Sequence, residues 1–544
     1  MTNYQFTGGT ICAPATIPGT GAISIIRVSG KESLAIADKV IDTKGVPIAE
    51  TEGYRLRYGT VFEADGSVLD NVIVSVFRAP HSYTGENSVE ISCHASRFIV
   101  NKILELLVNA GAHIAAPGEF TRRAFVNGKM DLAQAEAVAD VIASQSAASH
   151  RVAMNQLKGG FSSELKVLRE KLLTMTSLLE LELDFSEEDV EFASRKELGQ
   201  LVDDSLTHIR RLTASFSRGN AIKNGVPVAI VGATNTGKST LLNALLGEER
   251  AIVSDIAGTT RDTIEETLNI DGILFRFIDT AGIRETDETI EKIGIDRTFK
   301  KLGEAAVVLG MTDLSRGEAA VLEDADFILS KVNEMGGVKN VGLAIDGAET
   351  GGASPAETGG APLAETGGVS QHGHGDGQGR KVVILVNKCD ATGGFYRDDN
   401  GTGYGSGNDL GENMAEIGDN NNVNHDNNIV SLIENKYDNC KVIPISAKTG
   451  KGLSTLTKTL GEIGSEITGS TDETLVTNVR HYEALVRAAS ALERVRAGLH
   501  IATLPPDLIA QDLREALYHL GEIVGEISTD ETLGNIFRNF CIGK

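Results

Sequence analysis

The sequence predicts a multidomain chain of α/β plus α class, with a doubly wound α/β domain inserted into a helical domain that it splits in two, and an α+β domain in front. Three observations predict this. The segment VPVAIVGATNTGKSTLLNALL, Val226 to Leu246, reads as a buried strand, a Gly-bearing loop and a helix. On either side of that domain lie long stretches with apolar residues at three- and four-residue spacing. From Gly21 to about Glu90, short β-branched runs alternate with turn residues.

Taken in order, the α+β domain (1–130) has the runs AISIIRVSG and NVIVSVF as strands and FIVNKILELLVNAGA as a helix. After the turn signal APGEF, two amphipathic stretches, DLAQAEAVADVIASQSAASHRVAMNQL and ELKVLREKLLTMTSLLELELDF, read as long helices. They belong to a helical domain of residues 131–222 and 466–544, whose periodicity resumes near His481. The α/β domain (223–465) contains two inserts. In the first, about 336–379, the unit AETGG recurs at 348, 356 and 364. Its period of eight residues, poor in apolar side chains, reads as disorder rather than as a structural repeat. The second, about 391–428, is rich in Gly, Asn and Asp and reads the same way.

Bulk properties set limits. The formal charge of −24, from 75 acidic and 51 basic residues, argues against a protein that coats itself with nucleic acid. Five scattered cysteines, Cys12, Cys93, Cys389, Cys440 and Cys541, form no C-x-x-C pair, so neither a disulfide framework nor a zinc site is expected. The N-terminus lacks a basic segment before an apolar core, and no stretch approaches ~18 consecutive apolar residues. A cytoplasmic protein that does not enter a membrane is the expectation.

The chemistry begins at GATNTGKS, Gly232 to Ser239, which matches G-x-x-x-x-G-K-[ST] between a strand and a helix. The glycines permit a turn that aims backbone N–H groups at phosphate. Lys238 reaches the β- and γ-phosphates, and Ser239 offers a hydroxyl to Mg²⁺. Asn235, Thr236, Gly237 and Thr240 complete the loop. GTTRD, Gly258 to Asp262, follows and supplies Thr260 as the second Mg²⁺ ligand. DTAG, with Asp279, Thr280, Ala281 and Gly282, sits where a γ-phosphate sensor belongs. Next, NKCD places Asn387, Lys388 and Asp390 after the strand KVVILV. Asp390 is the acceptor for guanine N1–H and its 2-amino group, a donor pair that adenine lacks. SAK, with Ser446, Ala447 and Lys448, closes the base pocket. Four such elements in order at strand ends describe a Ras-like P-loop GTPase, or G domain, binding GTP with Mg²⁺. Ile283 stands where Ras-like enzymes place the glutamine that orients water. Glu285, Asp287, Glu288 and Glu291 are all candidates for that task, and the residues alone do not choose among them.

These elements, with GTGAISIIRVSG, SYTGENSVEISCH, PGEFTRRAFVNGKMDLAQAEAVADVI, AIVSDIAGTTRD, DTAGIRETDETIEKIGID and the terminal FCIGK, resemble the MnmE/TrmE family of tRNA-modification GTPases over nearly the whole chain. The resemblance implies a folate-binding, dimerising N-terminal domain, a discontinuous helical domain and a homodimer. It also implies a partnership with the FAD-dependent MnmG, as a heterotetramer. The reaction implied is installation of an aminomethyl-type (carboxymethylaminomethyl) group at C5 of wobble uridine 34 in certain tRNAs, the carbon coming from 5-formyl- or methylene-tetrahydrofolate. Within it, Glu291 becomes the catalytic carboxylate. K⁺ takes the place of an arginine finger, held by Asn235 and by Ser254, Ile256 and Thr259 of a loop that also includes Asp255, Ala257 and Gly258. Ser254 stands where the family has threonine, which keeps a hydroxyl and a carbonyl. Arg27, Glu90 and Lys129 map to the folate site. A pterin's adjacent N–H donors suit Glu90, and a glutamate tail and carbonyls suit the two cations. SCHAS departs from the family's histidine–glycine–glycine pattern and alters the local turn.

The ending NFCIGK puts Cys541 where a prenylation box has its cysteine, yet Gly543 and Lys544 do not fit that box. The resemblance instead sends Lys544 into the folate site and leaves Cys541 as either a buried thiol or a participant near the one-carbon donor. The alternative weighed is a ribosome-assembly GTPase, which shares every G-domain element but usually carries a basic RNA-binding module. A dynamin-like membrane GTPase would need an apolar paddle or a basic amphipathic face.

Overall fold

The computed structural model describes residues 8–184, 195–249, 266–278, 304–334, 380–390, 423–437, 440–469, 473–501, 505–527, 530–538, 540 and 543. The chain divides into two compact units, one of Met1–Ser144, His150–Phe216 and Asp472–Lys544, the other of Gln145–Ser149 and Ser217–Thr471. An α/β domain thus interrupts a helical region whose two halves fold together.

In the first unit, seven strands form one sheet in the order β3-β4-β5-β6-β2-β1-β7. They are β1 Ile11–Pro14, β2 Ile23–Ser29, β3 Ile41–Asp42, β4 Arg55–Phe62, β5 Val68–Phe77, β6 Ser88–His94 and β7 His113–Ile114. Alternation sets the two faces. Ile26, Val28, Val72, Val74, Val76, Val89 and Ile91 are buried against Leu34, Ile36 and Ala37 of helix Ser33–Val40 and Ile103 and Leu107 of helix Arg97–Asn109. The other face holds, in one cross-strand row, Leu56, Ser75, Glu90, Arg27 and Ala13. The next row is Tyr58, Ile73, Ser92 and Ile25. His94 ends β6 with its Nδ1 2.7 Å from Asp70 Oδ1, while its backbone N–H donates to Asp70 Oδ2 at 2.9 Å.

The helices of this unit share one core. Leu165, Leu168, Leu172 and Met175 of Gly160–Asp184, Val202, Leu206 and Ile209 of Arg195–Ala214, and Leu485, Leu492 and Val495 of Val479–Leu499 meet Ile509, Leu513, Leu520 and Ile523 of Pro506–Val524. One expectation is corrected. DLAQAEAVADVIASQSAASHRVAMNQL is not one long helix but two, Leu132–Ala143 and Ala147–Leu157. Ser144 turns extended (φ −62°, ψ 125°), and Ser146 and Ser149 cap one another, each backbone N–H donating 3.1 Å to the other's Oγ. Apolar spacing continues through the break, but serine side chains compete for backbone groups there.

The second unit has the sheet order β13-β12-β11-β8-β10-β9. Its strands are β8 Val226–Gly232, β9 Glu266–Ile270, β10 Ile273–Ile278, β11 Val307–Asp313, β12 Lys381–Asn387 and β13 Lys441–Pro444. All neighbours are parallel except β9, antiparallel to β10. β11 and β12 are buried along their whole length, as strands covered on both faces must be. Ile230, Leu309 and Leu385 face helices Lys238–Glu249 and Leu453–Thr468, whereas Val231, Val308 and Ile384 face helix Glu318–Glu334. The order reverses at β8, with β10 on one side and β11 on the other. Ligands bind at such a switch point, beyond the carboxyl ends of the strands.

The first insert lies outside the described residues, as does most of the second. Helix Val423–Lys436 begins inside the second, which moves its expected end forward. The periodicity of NIVSLIENK carries the helix, with Ile433 buried against the sheet. Among the described residues, no helix is long and apolar enough to cross a membrane.

Candidate functional site

The loop after β8 is shaped by its own residues. Asn235 adopts φ +61° and Gly237 φ +96°. Asparagine tolerates the left-handed region, and at Gly237 a side chain would strike the amide of Asn387. Thr236 is fully buried, its Oγ1 donating to Ala233 O at 2.9 Å. Lys238 opens helix Lys238–Glu249, and its ammonium donates to the carbonyls of Gly232 (2.9 Å) and Ala233 (2.7 Å). Burial pulls that ammonium below the ordinary lysine value. Ser239 follows, half-buried in the first turn, with Thr240 exposed beyond it. N–H groups and a cation converge at a helix N-terminus, an anion site suited to phosphate.

Asn387 joins this loop to the two that follow. Its Nδ2 donates to Thr236 O at 2.7 Å, and its Oδ1 accepts from Ala447 N at 3.0 Å. Residues 151 and 60 positions away from it thereby become neighbours. Lys388 follows at φ +65° and reaches Asp313 Oδ2 at 2.6 Å. Cys389 is buried and Asp390 exposed. Ser446 is buried, and its Oγ accepts from Thr449 N at 3.3 Å. Lys448 stays exposed. The structure therefore brings together the P-loop, NKCD and SAK. Ser254, Asp255, Ile256, Ala257, Gly258, Thr259, Thr260, Asp279, Thr280, Ala281, Gly282 and Glu291 lie outside the described residues, as do Cys541 and Lys544.

In the first unit, Arg27 and Glu90 face each other directly across β2 and β6. Arg27 Nε and Nη2 both donate to Glu90 Oε1, at 2.9 and 2.8 Å. The guanidinium lies 5.1 Å from the ring centre of Tyr83 and 5.7 Å from that of Phe120. Neither is an ordinary surface charge, since their side chains are only 17% and 25% exposed. Lys129 donates to Pro80 O at 3.0 Å, so it is held on the loop that carries Tyr83 rather than on the ion pair. That loop is fixed from beneath by fully buried Arg123, which bridges Glu86 (3.2 Å) and Glu119 (2.8 Å). Gly543, at φ +96°, lies backbone to backbone against Pro14 at the end of β1, one residue from Ala13, the partner of Arg27. Sequence reasoning missed Asp313, Tyr83 and Phe120. Tyr83 lies in SYTGENSVEISCH, but nothing marks Asp313 beyond its place after a buried run.

Among the described residues, Cys12, Cys93, Cys389 and Cys440 are buried and none is in a disulfide. Burial pushes the Cys12 and Cys93 thiols up to about 11 and Cys440 to about 12, which makes them poor nucleophiles.

Comparison with known proteins gives these arrangements a context. Residues 10–129 match the family model described as GTP-binding protein TrmE N-terminus, and residues 132–541 match the MnmE helical domain. The chain is 45% identical over 538 residues to the tRNA modification GTPase MnmE of Parabacteroides distasonis, covering 98% of this chain and 100% of that one. To the protein of the same name from Flavobacterium johnsoniae it is 44% identical over 536 residues, covering 98% and 99%. A solved GTP-binding protein of Sulfolobus solfataricus in complex with GDP shares 15% identity at a TM-score of 0.25, over 55% of this chain and 67% of that one, a likeness too slight to bear on fold or function. With two family models spanning almost its whole length, and full-length relatives well above 40% identity, the chain belongs to the MnmE family of tRNA modification GTPases.

Proposed function

We propose that this chain is a K⁺-dependent GTP hydrolase which, with the FAD-dependent MnmG, installs a carboxymethylaminomethyl-type group at C5 of wobble uridine 34 of certain tRNAs, using a reduced folate as one-carbon donor. The observation that carries the reading is the half-buried Arg27–Glu90 pair, its guanidinium close to the rings of Tyr83 and Phe120, in a chain that also holds a guanine-nucleotide site. Arg27 takes only Oε1 of Glu90, leaving Oε2 to accept the adjacent N–H donors of a pterin. The half-buried ring of Tyr83 offers an aromatic wall to its flat face, with Phe120 fully buried near the guanidinium, and Lys129, held on the same loop, suits the folate's carboxylates. Gly543 on Pro14 supports the placing of Lys544 at the same site, with Cys541 as a candidate for chemistry nearby. Residues 1–130 form the folate-binding and dimerising domain in this reading, 131–222 with 466–544 the helical domain, and 223–465 the G domain.

In the G domain, Lys238 and the loop N–H groups hold the phosphates, Asp390 reads guanine, and Glu291 orients the attacking water. Ser239 and Thr260 are the Mg²⁺ ligands, and Asn235, Ser254, Ile256 and Thr259 those of K⁺. Asn235, exposed on a left-handed turn, suits a side-chain carbonyl ligand. These ions supply positive charge against the charge that develops on the phosphates, a role worth on the order of 10³–10⁵ in rate where an arginine fills it. Homodimerisation is supported by Ile23, Leu56, Tyr58 and Ile73, all exposed on the sheet face that carries Arg27 and Glu90. A cytoplasmic setting is part of the same proposal. Nucleoside analysis of tRNA from a strain lacking this chain tests the function: uridine 34 is expected to lose its C5 group, and normal modification refutes the reading.

A further inference from the structure

Lys388 stands two residues before Asp390, in a turn held by the Asn387 side chain and the Cys389 backbone. Asn387 is tied to Thr236 and Ala447, and Cys389 N–H donates to Ile445 O at 3.3 Å. Asp390 is exposed. A lysine arm is long enough to fold back onto a carboxylate two residues away in a turn, and an ion pair there would occupy the oxygens that guanine needs. The structure shows a different partner. Lys388 Nζ lies 2.6 Å from Oδ2 of Asp313, whose side chain is only 7% exposed. Asp313 is the last residue of β11 and pairs in register with Asn387. Its Oδ1 accepts from Ser315 N at 3.0 Å and Ser315 Oγ at 2.6 Å, so the carboxylate is aimed before the lysine arrives. Burial raises that carboxyl, yet Lys388 and Ser315 outweigh it and leave Asp313 below the usual carboxylate range. A charge attracts more strongly through protein than through water, so the buried partner outcompetes the exposed one.

We infer that Asp313 is a specificity-determining positioning residue: by holding the Lys388 ammonium at the end of β11, it keeps Asp390 available to read the guanine edge. The inference rests on Asp390 being the guanine acceptor. Binding of GDP and of inosine 5′-diphosphate, which lacks the 2-amino group, by competition against a fluorescent guanine nucleotide tests both. Asp313→Asn, which keeps the size and an acceptor for Ser315, is expected to lower the GDP-to-inosine-diphosphate affinity ratio on the order of tenfold, the scale of one charge-assisted hydrogen bond. Adding Lys388→Met is expected to restore the ratio, even with weaker binding of both nucleotides, because no ammonium then competes for Asp390. A ratio unchanged by Asp313→Asn overturns the inference, since a merely loosened pocket weakens both ligands alike. So does a lowered ratio that Lys388→Met fails to restore. If Asp313→Asn does not fold, Lys388→Met alone is expected to preserve the ratio, and a tenfold loss there overturns the inference. Equal affinities in the unaltered chain overturn the Asp390 reading itself and this inference with it.

Discussion

Glu136→Gln is expected to destabilise the first unit by about 3 kcal/mol at neutral pH and to remove much of its acid sensitivity. Glu136, on helix Leu132–Ala143, is only 8% exposed. Its carboxylate accepts from Arg480 Nε at 3.0 Å and Nη2 at 3.1 Å, and lies 2.6 Å from His481 Nε2. Arg480 also caps the end of helix Pro506–Val524, donating to Glu522 O at 2.7 Å and Ile523 O at 3.0 Å. Burial alone raises Glu136, but His481 and then Arg480 outweigh it and bring the carboxyl from its ordinary 4.5 down to about 2. That displacement corresponds to about 3 kcal/mol, the lower end of the roughly 3–5 kcal/mol for removing one partner of a buried pair. The folded value is depressed, so the stabilisation is fully present above pH 4.5 and is lost as pH falls toward 2. With no tryptophan in the chain, calorimetry and far-UV circular dichroism are the assays. At about 2–4 °C per kcal/mol for a unit of this size, the transition shifts down by about 6–12 °C, and its pH dependence below 4.5 flattens. A shift under about 1 °C, or an acid limb as steep as in the unaltered chain, refutes the reasoning.

Gly237→Ala is expected to abolish nucleotide binding, because the new Cβ meets the Asn387 amide and the φ of +96° is strained for alanine; fluorescent-nucleotide titration checks it. Glu291→Ala is expected to stop hydrolysis and leave GTP binding within about threefold, a difference of only about 0.7 kcal/mol, as read by phosphate release and titration. Phosphate release should also rise at least tenfold in K⁺ over Na⁺, and equal rates remove Asn235 from the role of K⁺ ligand. Deleting residues 541–544 should impair tRNA modification and spare GTP hydrolysis, measured by nucleoside analysis and phosphate release.

The phosphate site was legible because its chemistry needs contiguous residues: a loop that cradles phosphate spells itself out between one strand and one helix. The strands that position it were legible as buried β-branched runs. Arg27 and Glu90 are 63 residues apart, and only the family resemblance joined them, since cross-strand register is not written locally. Glu136 and Arg480 are 344 apart, each an unremarkable charge on a helix. Asp313 was hidden for a related reason: a lone aspartate closing a strand has no pattern, and its meaning comes from the β11–β12 pairing that brings Lys388 to it. The break at Ser144–Ser146 escaped because apolar periodicity reports which face is buried, not whether the backbone between two faces is continuous.

Whether deleting the last four residues is a local cut depends on how the C-terminal segment is held, and the structure offers two separate holds. Helix Asp530–Arg538 is gripped by its apolar face: Leu533 and Phe537 are buried with Leu132 and Ala135. Phe537 and Phe540 also close over Gly118, whose φ of +68° and missing side chain leave room for them. Gly543 makes the second hold, on Pro14. Among the described residues, truncation after Phe540 removes only the second, because Leu533 and Phe537, the buried apolar residues of the helix, lie upstream of the cut. The described part of that loss is one backbone close approach, not a side-chain core of the kind worth about 2–5 kcal/mol per large residue, so the fold is expected to stay in place. A loss of modification in that variant, with an unchanged melting transition, then reports on the end of the chain itself and not on the helix that carries it.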